Sequence, residues 1–294
     1  MNLLSHDQQP GWQSGSDKVR SIFSGASMPE EPSVRRPAHI ALIGNFAPRK
    51  CGIATFTSEI FEKLREHHPE ITVDVHVLDD RAAPLGYGPV AGTIAHDDPQ
   101  DYARAARQIN ESGVDAVWLQ HEYGIFGGED GAMVCPFVDR LAPPLILTLH
   151  TVLSEPSPRQ RAILDHLVTR ASRIMVMSRH SRDLLECEYA VPAAIIEVIE
   201  HGAPDRPFGR QQEFKARLGL AGRKVLMTFG LLGPGKGLEH AIAALPAIAA
   251  RHPDVLYRVV GASHPNLVAR EGGKAPPFAR RGPPPLVVAE GRHV

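Results

Sequence analysis

The chain has 294 residues, of which 43% are hydrophobic and 22% charged, and its formal net charge is -1. This composition is typical of a globular protein with one large or two smaller domains. A net charge this close to zero gives no overall positive field that would steer the chain to nucleic acid or an anionic membrane. No apolar run approaches the roughly 18 residues needed to cross a bilayer, and the first 20 residues lack the cationic start and apolar core of a signal peptide. We therefore expect a cytoplasmic protein without a transmembrane segment.

Cysteine and histidine give no sign of a metal site. Cys51, Cys135 and Cys187 are an odd number without CxxC spacing, which argues against a disulfide framework and against structural zinc. We expect three buried thiols. The 15 histidines show no HExxH or other compact ligand spacing, so no metal is predicted. The loop after the first strand lacks the GxGxxG dinucleotide fingerprint, and no cofactor is predicted.

Residues 1–36 are polar, aperiodic and rich in Ser, Gly and Pro, and they are predicted to be disordered. From His39 to Gly202, short apolar runs alternate with amphipathic segments. This alternation predicts an α/β fold with a parallel, doubly wound sheet in a Rossmann-like domain over residues 37–204. The predicted strands are HIALIGNF, ITVDVHVLDD, GTIAHDD, DAVWLQHE, LILTLHT, RIMVMS and IIEVIEHG.

A turn-rich segment, GAPDRPFGRQQ, marks a domain boundary near Gly202. A strand from Lys224, a glycine loop, a helix and a second strand then open another Rossmann-like domain, which we place with its linker at residues 205–272. Such a domain needs about 100 to 150 residues, and we expect it to be incomplete.

The last segment, residues 273–294, contains five prolines and has no usable periodicity. Because proline does not fit inside a helix or a central strand, we predict an irregular tail that adds no strand to the second sheet. Its Ala, Pro, Gly and Arg bias suggests a GC-rich coding sequence read in the wrong frame. Our hypothesis is a frameshift or an early stop near Gly272.

Two glycine-containing turns are candidate phosphate sites. Gly52 follows the first strand and opens a helix whose apolar positions include Phe56. Such a glycine either makes the turn or lets backbone N–H groups approach an anion. The segment 230–237, GLLGPGKG, fits the start of a P-loop, but Gly237 stands where magnesium-binding Ser or Thr is required. Lys236 is therefore predicted to neutralise a diphosphate, the alternative being a solvated lysine on a turn.

Strand ends supply further candidates. His150 and the pair His121-Glu122 end two apolar runs, where ligands bind in this architecture. His150 either contacts a substrate hydroxyl or acts as a proton carrier, the alternative being a structural hydrogen-bonding residue. The aromatic residues Tyr123 and Phe126 either stack on sugar faces or pack in the core.

Four segments together resemble family 4 glycosyltransferases of the GT-B fold. These segments are GNFAPRKCGIATFTSEI, LTLHT, VMSRHSRDLL with VIEHGAPD, and TFGLLGPGKGLEHAI. The resemblance implies an acceptor domain facing a nucleotide-sugar donor domain, and sugar transfer with retention, usually without metal. It implies that the donor is a UDP- or GDP-sugar and makes a carbohydrate the candidate acceptor, without identifying it.

The resemblance also implies roles for particular residues. The Gly52 turn lines the cleft near the donor phosphates, His150 lies close to the donor sugar and is the candidate catalytic residue, and Lys236 with Gly237 holds the diphosphate. Many relatives carry an Arg where this chain has Leu231, and the family's two glutamates are missing after Gly261. We therefore expect impaired activity. The alternative is a non-catalytic module that binds a sugar or a partner.

Overall fold

The computed structural model describes residues 37–80, 84–230, 232–233, 236–261 and 287–290. The predicted disorder of residues 1–36 and most of the predicted tail lie outside this part of the chain. Two compact units are present: the first ends at Ala203 and the second begins at Pro204.

The first unit contains a seven-stranded sheet in which every neighbouring pair of strands is parallel. The strand order is β3-β2-β1-β4-β5-β6-β7, so the predicted doubly wound sheet is confirmed. The strands are β1 (His39–Gly44), β2 (Thr72–Asp79), β3 (Gly92–Ala95), β4 (Ala116–His121), β5 (Leu145–Leu149), β6 (Ala171–Val176) and β7 (Ile196–Val198).

Five α-helices connect these strands, and side chains cap the N-termini of four of them. The helices are α1 (Gly52–His67), α2 (Pro99–Glu111), α3 (Val134–Val138), α4 (Pro158–Arg170) and α5 (Arg179–Glu188). Cys51, Asp98, Ser157 and Ser178 each accept a hydrogen bond from a backbone N–H in the first turn, which satisfies a donor that the helix leaves free. Pro158 occupies the first position of α4, where a missing N–H has no cost.

Alternate residues of the central strands point into two separate cores. Along β1, Ala41 and Ile43 belong to one apolar cluster, while Ile40 and Leu42 belong to the other. All four are completely buried. The sheet is therefore covered by helices on both faces, as an all-parallel sheet requires.

The second unit has a parallel three-stranded sheet in the order β10-β9-β8. Its elements are α6 (Gln211–Arg217), β8 (Lys224–Phe229), α7 (Leu238–Arg251), β9 (Val255–Val260) and β10 (Val287–Glu290). The prediction that residues 273–294 add no strand is wrong, because β10 pairs with β9. The prolines of the tail end at Pro285, and each residue of β10 keeps the N–H that a strand needs.

Among the described strands of this sheet, β8 lies at one edge. Its side chains Leu226, Met227 and Phe229 are exposed.

Among the described residues, no helix combines the length and the apolar character needed to span a bilayer.

Candidate functional site

The carboxyl ends of β1, β4 and β5 lie side by side in the middle of the first sheet. Strand β1 pairs with β2 on one side and with β4 on the other, so the chain reverses its direction of travel across the sheet at this point. Ligands of doubly wound proteins bind at such a switch point. Gly44, His121 and Leu149 end these three strands.

His150 follows β5 and is partly buried at this end of the sheet. Its Nε2 lies 3.1 Å from Oε1 of Gln120, and its ring meets the Phe56 ring edge to face, with 4.8 Å between the centroids. Burial, and next the proximity of His201, lower the pKa of His150 to about 4. The imidazole is therefore neutral near pH 7, so it suits hydrogen bonding to a hydroxyl better than general acid catalysis.

Phe56 and His201 extend this group beyond the residues predicted from the sequence. Phe56 lies on α1, one turn after Gly52, and contacts His201 as well as His150, with 5.0 Å between the Phe56 and His201 centroids. His201 follows β7, and its position beyond a strand end was the signal that could have identified it. Phe56 had been assigned only to the apolar face of its helix.

His121, at the end of β4, is completely buried between two aromatic rings. Tyr123 meets it edge to face at 5.0 Å and Phe126 stacks on it at 5.9 Å. Neither ring nitrogen of His121 has a hydrogen-bond partner in the described part of the chain, and burial lowers its pKa to about 3. Tyr123 and Phe126 are also buried, so of the two alternatives for these aromatic residues, the structure supports core packing.

Glu122 and Thr151 pair across the ends of β4 and β5. The Thr151 hydroxyl donates to Glu122 Oε2, and the Tyr123 backbone N–H donates to Glu122 Oε1. Both carboxylate oxygens of Glu122 are therefore engaged within the protein.

Gly52 is the first residue of α1 and is exposed. A Cβ atom built at this position meets no described atom within 4 Å, and the backbone is not left-handed. Neither space nor conformation requires glycine here, so the turn alone does not explain it. Close approach of a ligand to the backbone remains the explanation that we favour.

The loop before α1 is fixed to the end of β2. Arg49 Nη2 lies 3.4 Å from Asp79 Oδ1, and the Tyr87 hydroxyl donates to the same oxygen at 2.9 Å. The backbone N–H of Leu85 donates to Asp79 Oδ2. Buried Asp79 thus holds the loops that follow β1 and β2 in place.

In the second unit, Lys236 and Gly237 precede α7. Gly237 caps the helix with a left-handed backbone, φ 68° and ψ 20°, which serine or threonine rarely adopts. This conformation explains why the magnesium-binding residue of a P-loop is not found here. Lys236 is exposed, and within the described residues its ammonium has no hydrogen-bond or ion-pair partner. Leu231 lies outside them.

A model of the family described as Glycosyltransferase Family 4 matches residues 51–206, which is more than half of the chain. The chain belongs to glycosyltransferase family 4. The matched range includes Gly52, His150 and His201, and it ends before Lys236.

Solved structures resemble this glycosyltransferase in fold at low sequence identity. HepE from Anabaena, solved in complex with UDP and glucose, aligns with a TM-score of 0.54 and 16% identity, over 85% of this chain and 68% of HepE. A glycosyltransferase from Rickettsia africae aligns with a TM-score of 0.54 and 13% identity, over 87% and 68% of the two chains.

The lipopolysaccharide outer core galactosyltransferase WaaB gives a TM-score of 0.53 and 14% identity, over 87% of this chain and 68% of WaaB. No curated protein sequence matches the chain. The predicted α/β fold of the GT-B type and the predicted glycosyltransferase family are confirmed.

The glycosyltransferase places its predicted site residues in separate units. Gly52 and His150 belong to the first unit, whereas Lys236 and Gly237 belong to the second. The roles of all four remain predictions.

Within the described residues, no three His, Cys, Asp or Glu side chains are grouped as metal ligands. The expectation of three buried thiols is wrong, because Cys187 is exposed and Cys51 and Cys135 are partly exposed.

Proposed function

We propose that this glycosyltransferase transfers a sugar from a UDP- or GDP-sugar to an acceptor, with retention of the anomeric configuration and without a metal or cofactor. The observation that carries the proposal is His150 at the carboxyl end of β5, neutral and held between Gln120 and Phe56. A neutral imidazole can hydrogen-bond a sugar hydroxyl without adding a charge to the site.

The donor phosphates would be bound by backbone and lysine groups. Gly52 begins α1 without a steric need for glycine, and the N-terminus of a helix attracts anions. Lys236 precedes α7 with a free ammonium among the described residues, and this point charge suits the developing charge of a departing diphosphate. HepE, which shares the fold, was solved with UDP and glucose, and this supports a nucleotide-sugar donor for the present chain.

The acceptor is proposed to be a carbohydrate, since WaaB, with the same fold, is named for its action on a lipopolysaccharide core. A cytoplasmic location and slow turnover by these 294 residues alone remain predictions from the sequence.

Donor binding tests the proposal directly. Calorimetry with UDP and GDP should show binding that Lys236→Ala weakens about tenfold or more, because a charge-assisted contact to phosphate is lost. The matched control is Lys224→Ala, which removes an exposed lysine of the same unit that pairs with Asp254 and should leave binding unchanged.

Transfer is then followed with UDP- and GDP-sugars by product NMR, with and without EDTA. Failure of the wild-type chain to bind either nucleotide, or equal binding by both lysine variants, would contradict the proposed donor site. A product of inverted configuration would contradict retention.

A further inference from the structure

Gln120 is one of the few polar side chains buried in the first sheet. It is the residue before the last of β4 and is completely buried. Its Oε1 lies 3.1 Å from His150 Nε2, while its amide nitrogen has no partner in the described residues. Burying an amide costs free energy unless the amide is hydrogen-bonded. The contact with His150 therefore offsets part of the cost of burying Gln120.

The neighbouring strand makes room for this side chain. A Cβ atom at Gly44, the last residue of β1, would lie 3.0 Å from Gln120 Cβ and 3.2 Å from Gln120 Cγ. It would also lie 3.3 Å from Thr57 Oγ1 on α1. Gly44 is therefore needed for Gln120 to occupy the space between β1 and α1.

The contact between Gln120 and His150 repeats a pattern of the same two strands. In the β4–β5 register Trp118 lies opposite Ile146, and Gln120 lies opposite Thr148. Trp118 Nε1–H donates to Thr148 Oγ1 at 2.8 Å, two residues beyond its register partner. Gln120 and His150 are related by the same offset, so the strand register itself sets their distance.

We infer that Gln120 is a positioning residue whose amide oxygen accepts the Nε2–H of His150 and holds the imidazole with its lone pair on Nδ1. Nδ1 of His150 then accepts a hydrogen bond from a hydroxyl group, which is the donor. If the proposed function holds, that hydroxyl belongs to the donor sugar, and the site selects a sugar that presents an O–H to this nitrogen.

The other described groups around His150 carry no free carboxylate that would fix its protonation. Gln120 therefore determines which tautomer of the ring is present. His201 and His121 are the titratable neighbours, and Phe56 covers the ring edge to face. The Glu122 carboxylate is occupied by Thr151 and by the backbone of Tyr123. At neutral pH the ring is uncharged, so one nitrogen carries a proton and the other carries a lone pair. The two possible tautomers differ in which nitrogen is protonated.

Nitrogen-15 NMR of histidine-labelled protein at pH 7 tests the inference, with His150→Gln identifying the His150 signals. We expect a protonated Nε2 and an unprotonated Nδ1 in the wild type. Gln120→Glu, which can only accept at this position, should keep that tautomer and raise the pKa of His150. Gln120→Met should give a mixture of tautomers.

Thr148→Val is the matched control, because it breaks the Trp118 hydrogen bond on the same face and should leave the His150 signals in place. Circular dichroism checks that each variant is folded. A protonated Nδ1 in the wild type, or an unchanged tautomer in folded Gln120→Met, would overturn the inference, and the wild-type spectrum decides the first point even if Gln120→Met does not fold.

Calorimetry separates this inference from the proposed function. Gln120→Met should weaken binding of UDP-glucose about tenfold while leaving UDP binding unchanged, since only the sugar contact is affected. If the tautomer is as inferred but the wild type binds neither UDP-glucose nor GDP-mannose, the proposed donor fails while the role of Gln120 stands. Equal losses for UDP and UDP-glucose would overturn the sugar contact.

Discussion

Two glycines at the carboxyl edge of the first sheet differ in the space available for a side chain. A side chain at Gly44 would press against Gln120 Cβ at 3.0 Å, whereas a side chain at Gly52 meets nothing among the described atoms within 4 Å. The first glycine is explained by packing inside the protein. The second has no packing explanation among the described residues, and its proposed role is contact with a ligand.

Alanine at each position tests this difference. Gly44→Ala should lower the free energy of unfolding by about 1–3 kcal/mol, because the new methyl group would lie 3.0 Å from buried Gln120 Cβ and force its neighbours to shift. Gly52→Ala should leave stability unchanged or raise it by up to about 1 kcal/mol, since alanine favours a helix. Urea unfolding measures both values.

In the same pair of variants, nucleotide binding should fall in Gly52→Ala. An unchanged UDP and GDP affinity there would show that no ligand approaches this backbone. Equal destabilisation by the two substitutions would contradict the packing argument for Gly44.

At the scale of the helices, α1 begins with an unusual cap. Cys51 has the extended backbone of an N-cap, and its Sγ accepts the Ala54 N–H at 3.3 Å. Asn45 Nδ2 donates to the same sulfur at 3.4 Å. Sulfur is a weak acceptor, so the start of the helix that carries Gly52 and Phe56 depends on a weak cap.

Substitution of Cys51 measures the contribution of this cap. Cys51→Ser should equal or exceed the wild type in stability, because serine is among the best N-cap residues, and Cys51→Ala should fall below Cys51→Ser by about 1 kcal/mol. Chemical unfolding followed by circular dichroism gives the difference. An alanine variant as stable as the serine variant would show that the sulfur contact does not hold the helix start.

The elements were predictable where local pattern determines them. The seven strands of the first sheet are apolar runs bounded by turns, and the caps Asp98 and Ser157 are local signals. The segment around Pro136 forms only the five-residue helix α3. Strand β10 was missed because the prolines before it dominated the composition of its segment.

The site was predictable only in part, for a physical reason. His150 and Gly52 follow strands directly, and the rule for carboxyl ends finds them. Gln120 lies inside a strand, and its partner His150 is 30 residues away. Such a contact depends on the pairing of β4 with β5, which no local pattern encodes.

For the molecule as a whole, buried neutral histidines make the first unit sensitive to acid. Burial lowers the pKa of His76, His121 and His150 below the usual 6.5, to about 3 for His121 and about 4 for His150. The unfolded chain therefore binds more protons than the folded chain once the pH falls below about 6.5. Their contribution to stability is complete above that pH and is lost progressively toward the folded values.

Lowering the pH from 7.5 to 5 should cost up to about 2 kcal/mol of stability through His121. The reason is that pH 5 is about 1.5 units below the unfolded pKa, and each unit corresponds to about 1.4 kcal/mol. His150 should account for less, because its ring is partly exposed. Urea unfolding followed by tryptophan fluorescence, to which the buried Trp118 contributes, measures the loss at each pH.

The substitution His121→Gln should flatten the pH dependence, since the titrating group is removed. The matched control His67→Gln alters an exposed histidine of the same unit and should keep the wild-type slope. Equal slopes for wild type and His121→Gln would contradict the loss of stability assigned to His121.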